Sequence, residues 1–109
     1  MPEINKHTPT FGEHLRTMRE TAKLSLKDVA VNIGIDTSLL AKIERNERQP
    51  TKEQIKLFAK FFKIERNELI IEFLSDLFAY KILEEEAGIE TLKVAEEKVE
   101  YLKSISRKK

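Results

Sequence analysis

The sequence predicts an all-α fold: a five-helix domain followed by a C-terminal helical extension. Three observations lead there. Apolar residues recur every three or four positions along most of the chain, as one buried face of a helix requires. Polar cap residues stand just before these runs, three of them with a partner three residues on. No segment shows the two-residue alternation of a strand, and no internal repeat or low-complexity stretch interrupts the pattern.

The elements follow in order. Thr10 and Glu13 have the spacing of a capping box, and Phe11, Leu15, Met18 and Ala22 mark one face of a first helix over about residues 11 to 22. Ser25 with Asp28 opens a second helix, whose buried side is Leu26, Val29, Ala30 and Ile33. Gly34 ends it, because glycine adopts the left-handed conformation without a β-carbon clash. A third helix is expected over roughly Thr37 to Arg45, capped by Asp36, with Leu39, Leu40 and Ile43 towards the core and Asn46 as the stop. Thr51 and Gln54 then cap a fourth helix, with Ile55, Phe58, Ala59 and Phe62 as its apolar stripe. From Arg66 to Leu83 comes a helical run whose Leu, Ile and Phe residues cover more than one face, more apolar surface than one small core absorbs. After a break at Gly88, the residues Ile89, Leu92, Ala95 or Glu96, Val99 and Leu102 form a coiled-coil-like seam.

These elements divide the chain into an N-terminal arm (1–9), a domain (10–70), a helical extension (71–106) and a basic tail (107–109). A length of 109 residues fits one core with an appendage. The absence of cysteine excludes disulfides and thiolate metal sites. The start MPEINKHTPT has no basic stretch followed by an apolar run, so no signal peptide or membrane span is expected and the protein is expected in the cytoplasm. The net charge is only +1, but residues 1–64 hold 12 Lys and Arg against 8 Asp and Glu, while residues 65–109 hold 8 against 11. Attraction to phosphate is therefore expected from the first part alone.

Two short helices joined through Gly34, the second carrying small polar and basic side chains, have the pattern of a helix-turn-helix. The longer register, from FGEHLRTMRE through SLKDVAVNIGIDTSLLAKIERNERQPT to LFAKFFKIERNEL, resembles the phage-repressor and Cro-like helix-turn-helix family, the xenobiotic-response-element class of bacterial transcriptional regulators. Ser25, Ala30, Gly34 and the Ile43-Glu44-Arg45 stretch with Pro50 downstream each match that family. The resemblance implies a double-stranded DNA operator as partner, with the third helix in the major groove and the second across the backbone.

Carried over residue by residue, it implies base contacts from Thr37, Ser38, Ala41 and Lys42. Hydroxyls can donate or accept at several bases, Ala41 can touch a thymine methyl, and Lys42 can donate to guanine. Thr37 and Ser38 have a competing explanation, first-turn capping, and Lys42 another, as a solvated helix lysine. Phosphate contacts fall to Ser25, Lys27, Arg45, Arg48 and Lys52, though Lys27 and Lys52 also read as ordinary surface residues. Glu44 is expected to pair with Arg19 as a structural brace. Leu26 stands where the family often has glutamine, Asn46 where it has glycine, and Asp36 adds an acidic group near the expected DNA.

The extension is expected to supply a homodimer through Leu69, Phe73, Leu74, Leu77, Phe78, Leu92, Val99 and Leu102, the alternative being a final helix that folds back on its own domain. With only His7 and His14 as histidines and no phosphate loop or nucleophile motif, catalysis has no apparent basis, and no cofactor or metal is implied. Glu84, Glu85 and Glu86 read as a solvated charge run. The competing function is an antitoxin-like module whose C-terminal helices hold a protein partner, with DNA binding secondary.

Overall fold

A computed structural model describes residues 9–107, so the expected arm, save Pro9, and the last two residues of the basic tail lie outside the described residues. Six helices follow one another: α1 (Phe11–Thr21), α2 (Leu26–Ile33), α3 (Thr37–Glu44), α4 (Lys52–Phe62), α5 (Arg66–Glu84) and α6 (Glu90–Arg107). No strand occurs among the described residues. Three helices open with reciprocal capping boxes, Thr10 with Glu13, Ser25 with Asp28 and Thr51 with Gln54. In each, the hydroxyl accepts the third residue's N–H while that residue's side chain accepts the cap's own N–H. The start of α3 differs from expectation. Asp36 sits at the cap position, but its side chain makes no capping bond.

The helix ends share one device. Leu24, Ile35, Glu47, Ile64 and Ala87 each donate an N–H to the carbonyl five residues back, at 2.8–3.1 Å. Before each stands a residue with positive φ: Lys23, Gly34, Asn46, Lys63 and Glu86. This is the Schellman closure, which satisfies carbonyls left open at a helix end. Only one of the five is glycine, so the other four accept a β-carbon penalty on the order of 1 kcal/mol. The break expected at Gly88 lies in the connection between α5 and α6, residues 85–89, whose turn closes two residues earlier, at Glu86, through the six-to-one bond.

The chain forms two compact units, residues 1–76 and 77–109, with α5 continuous through the boundary. In the first unit, Phe11, Leu15, Val29, Ala30, Ile33, Leu40, Ile43, Ile55, Phe58, Ala59, Leu69 and Phe73 are buried. Leu69 and Phe73, expected at a dimer contact, are therefore part of this core. Phe73 meets Phe11 edge to face with ring centroids 5.8 Å apart. Beside them, Asp76 Oδ2 accepts the Phe11 N–H at 2.8 Å, and His14 Nδ1 lies 2.8 Å from the Glu72 carboxylate. These contacts attach α5 to the start of α1, which is why the unit runs past residue 70, the domain limit expected from sequence. Leu39 and Leu26 are only half-buried and Ala22 is exposed, so each of those three apolar faces is narrower than its sequence pattern.

The second unit holds the end of α5 and all of α6. No residue of α6 is buried. Leu77 and Ile82 are half-buried, whereas Phe78, Leu92, Val99 and Leu102 are exposed. No helix among the described residues is long and apolar enough to cross a membrane.

Candidate nucleic-acid interface

The site is built on α3. Leu40 and Ile43 are fully buried, so the opposite side of the helix must face outward. That outward side carries Thr37, Ser38, Lys42 and, at the helix end, Arg45, all exposed, with Ala41 half-buried among them. At about 100° per residue, positions 37, 38, 41, 42 and 45 share one face. The Thr37 and Ser38 hydroxyls make no hydrogen bond among the described residues, so neither serves as a helix cap here. Arg45 lies one residue beyond α3, at its C-cap, rather than inside the helix as expected.

The C-terminal end of α3 is held from behind. Arg19 on α1 reaches Glu44 with two bonds, Nε to Oε2 at 2.7 Å and NH2 to Oε1 at 3.0 Å, and its NH1 donates to the Leu24 carbonyl at 2.9 Å. The Glu44 side chain is 5% exposed and that of Arg19 12%, so this is a forked ion pair shielded from water. The hydrogen bond to Glu44 raises the Arg19 pKa against the opposing effect of burial, holding the guanidinium charged.

A second tie had no place in the sequence reading. Asn46, in the left-handed conformation at φ 63, accepts the Gly12 N–H on Oδ1 at 3.3 Å and donates from Nδ2 to Thr10 Oγ1 at 2.9 Å. Gly12 belongs to the same contact: a β-carbon there would meet the Ile43 carbonyl oxygen at 2.5 Å and the Glu44 carbonyl oxygen at 2.7 Å. The start of α1 thus lies directly against the end of α3. Asn46 therefore does more than replace a glycine. The available sequence signals were a glycine inside a helix that needs no turn, and an asparagine whose amide has both a donor and an acceptor.

The cations vary in their partners. Lys27, Lys42, Arg48 and Lys52 are exposed and have no ion pair within the described residues. Arg45 does have one. Its Nε and NH2 bond the two oxygens of Glu47 at 2.9 and 3.1 Å, which raises the Arg45 pKa and lowers that of Glu47. Ser25 uses its oxygen to accept from Asp28 and its N–H to donate to Asp28, leaving its hydroxyl hydrogen as the one group it can offer a phosphate. Lys27 and Lys52 stand in the first turns of α2 and α4, whose remaining N–H groups have no helical acceptor. The arrangement can present hydroxyls, a lysine and a half-buried methyl to base edges, with cations and helix starts beside them.

Comparison with known proteins agrees with this geometry. The restriction-modification controller protein C.AhdI from Aeromonas hydrophila is 34% identical, with a TM-score of 0.51 over 54% of this chain and 89% of that one. The clp gene regulator ClgR from Corynebacterium glutamicum is 17% identical, with a TM-score of 0.53 over 88% of each chain. A structure of the SinR protein/SinI protein complex gives 17% identity and a TM-score of 0.53 over 87% of this chain and 99% of that one. The latter two likenesses are of fold alone. No curated protein matches the sequence significantly. A family model described as Helix-turn-helix matches residues 15–69, spanning α2, α3 and α4, most of α1 and the first turn of α5. The chain belongs to the Cro/C1-type helix-turn-helix family of DNA-binding transcriptional regulators.

Proposed function

We propose that this protein is a sequence-specific regulator that binds a (pseudo)palindromic double-stranded DNA operator as a homodimer. The observation that carries the reading is the division of α3: one side buried and braced through Arg19–Glu44 and Asn46, the other a polar face whose side chains have few internal partners. Thr37, Ser38, Ala41 and Lys42 read base edges from the major groove. Arg45, Arg48, Lys52, Lys27 and the Ser25 hydroxyl hold phosphates and set the register. The likeness of 34% to a restriction-modification controller supports a locally acting, controller-like role.

The second unit supplies the dimer. α6 has 18 residues and none buried. Leu92, Val94, Val99, Tyr101, Leu102 and Ile105 are all exposed on it and occupy roughly half its circumference at about 100° per residue. Isolated helices of this length are marginal in water, so a second copy covering this face with Leu77 and Phe78 stabilises both. Two α3 helices then meet half-sites about 34 Å apart.

Selection of bound duplexes from a random DNA library tests the reading: enrichment of an inverted repeat supports it, and the absence of any enriched sequence refutes it. Arg48→Ala is expected to weaken binding at all sequences and lower the salt slope by about one, whereas Lys42→Ala relaxes preference at one position. A second reading, an interaction module with DNA binding secondary, is favoured by the exposed α6 and by the neighbour solved as a complex of two proteins. A stoichiometric protein partner on purification, with no gel shift on the upstream region of its own gene at low salt, would establish that reading instead.

A further inference from the structure

Among the cations on and around α3, Lys27, Lys42, Arg45, Arg48 and Lys52, Arg45 is the one with a carboxylate in salt-bridge contact within the described residues. The contact is forked, Nε to Oε2 at 2.9 Å and NH2 to Oε1 at 3.1 Å. Two parallel donors to two oxygens is also how arginine grips a phosphate. Glu47 is placed by the helix ending as well as by its charge: its N–H closes the α3 terminus on the Lys42 carbonyl at 2.8 Å, directly after the left-handed Asn46. The positive groups facing its carboxylate are Arg45 and Lys42. Both members of the pair are more than half exposed, at 55% and 54%, so the pair contributes little to stability and is free to exchange.

We propose that Glu47 is an internal competitor for the phosphate site of Arg45, a positioning residue that lowers affinity for DNA without reading its sequence. The proposal rests on the assignment of α3 as the DNA-contacting helix. In the free protein the Glu47 carboxylate occupies the guanidinium fork. On binding, a phosphate oxygen displaces it, and the released carboxylate remains beside the backbone with Lys42 as its nearest cation. Specific and non-specific complexes both need this exchange, so the ratio between them is unchanged while both are weakened. A regulator restrained in this way spends more time free of DNA, while its discrimination between operator and bulk DNA is unchanged.

The test uses the full chain and a duplex of arbitrary sequence, with affinity read by fluorescence anisotropy over a salt series, for the wild type, Glu47→Gln, Arg45→Ala and the double variant. Glu47→Gln is expected to tighten binding on the order of threefold or more at low salt, because the phosphate no longer has to displace a carboxylate from the Arg45 fork. In the Arg45→Ala background the same substitution is expected to do almost nothing, since the group it releases is gone. An equal gain in both backgrounds overturns the proposal and leaves Glu47 as a plain source of repulsion. A loss of affinity in Glu47→Gln overturns it too, making the carboxylate a support that aims Arg45. If none of the four proteins binds the duplex at low salt, the DNA-contact assignment of α3 itself fails, a result distinct from the other two.

Discussion

Glu44→Ala is the substitution whose consequence the structure specifies most fully. It removes both acceptors of the Arg19 fork, at 2.7 and 3.0 Å, and leaves a guanidinium that is 12% exposed with the Leu24 carbonyl as its remaining bond. Breaking a shielded pair from one side costs about 3–5 kcal/mol, because the surviving charge has neither its partner nor water. Domains of this size hold roughly 5–15 kcal/mol in total, so the loss is a large share of it. A loss of about 3 kcal/mol corresponds to a fall in Tm of roughly 12–24 °C for a domain of this length. Urea denaturation followed by helical circular dichroism measures it. Replacing both partners together, as Arg19→Met with Glu44→Leu, is expected to recover most of the loss, since nothing charged is left stranded. A loss below about 1 kcal/mol for Glu44→Ala, the range of exposed pairs, would refute the claim that water is excluded from this contact.

Further outcomes follow from the same contacts. Asn46→Gly relieves the left-handed backbone but removes the bridge to Gly12 and Thr10, and is expected to lower stability by about 1 kcal/mol; a stabilised variant in urea melts would mean that the amide bonds contribute nothing. Asp76→Ala leaves the Phe11 N–H without its acceptor and is expected to cost about 1–3 kcal/mol, whereas Asp76→Asn keeps an acceptor and loses far less. Burial, ahead of the repulsion from Glu72 and Glu13, raises the Asp76 pKa, so the folded state favours its protonated form. The stability linked to this group is fully present below the ordinary value of 3.8 and is lost as pH rises through the raised folded value; Asp76→Asn therefore gains on the wild type as pH rises through that window, and a pH-independent difference in urea melts would contradict it. Asp28 runs the other way, since the Ser25 backbone N–H, and after it the Ser25 side chain, lower its pKa: its contribution is present above 3.8 and lost as pH falls through the lowered value, and Asp28→Asn should abolish that slope while Ser25→Ala, which keeps the backbone donor, only lessens it. Leu92→Asp combined with Val99→Asp is expected to sediment as a monomer at micromolar concentration; if the wild type is itself monomeric there, the second unit is not a dimer contact.

The helices were legible because their signals are local. Thr10, Ser25 and Thr51 cap through residues three positions away, and the apolar faces of α1 to α4 repeat within a few turns. Helix ends were less so. Lys23, Lys63 and Glu86 carry no residue-type signal for a left-handed turn, and what sets them is a six-to-one bond that closes on a carbonyl five residues back. The apolar Leu24 and Ile64 that follow two of these turns were a usable clue. In the site, the outward face of α3 follows from periodicity once Leu40 and Ile43 are taken as core. The Arg45–Glu47 pair, only two residues apart, has no distinguishing sequence signal, since neighbouring charges usually read as solvated surface.

By itself the sequence determined the all-α class, the order of helices, the capped starts and the family register running from α1 into α5, because each is written in spacings of three to five residues. Tertiary structure alone decided that Leu69 and Phe73 pack in the first unit, that Asp36 leaves its cap unmade, and that Gly12 and Asn46 join the ends of α1 and α3. The packing of Leu69 and Phe73 and the Gly12–Asn46 junction depend on which surfaces approach each other across 34 or more residues of chain. A spacing rule describes one helix, whereas burial and hydrogen bonding between helices depend on where their faces meet.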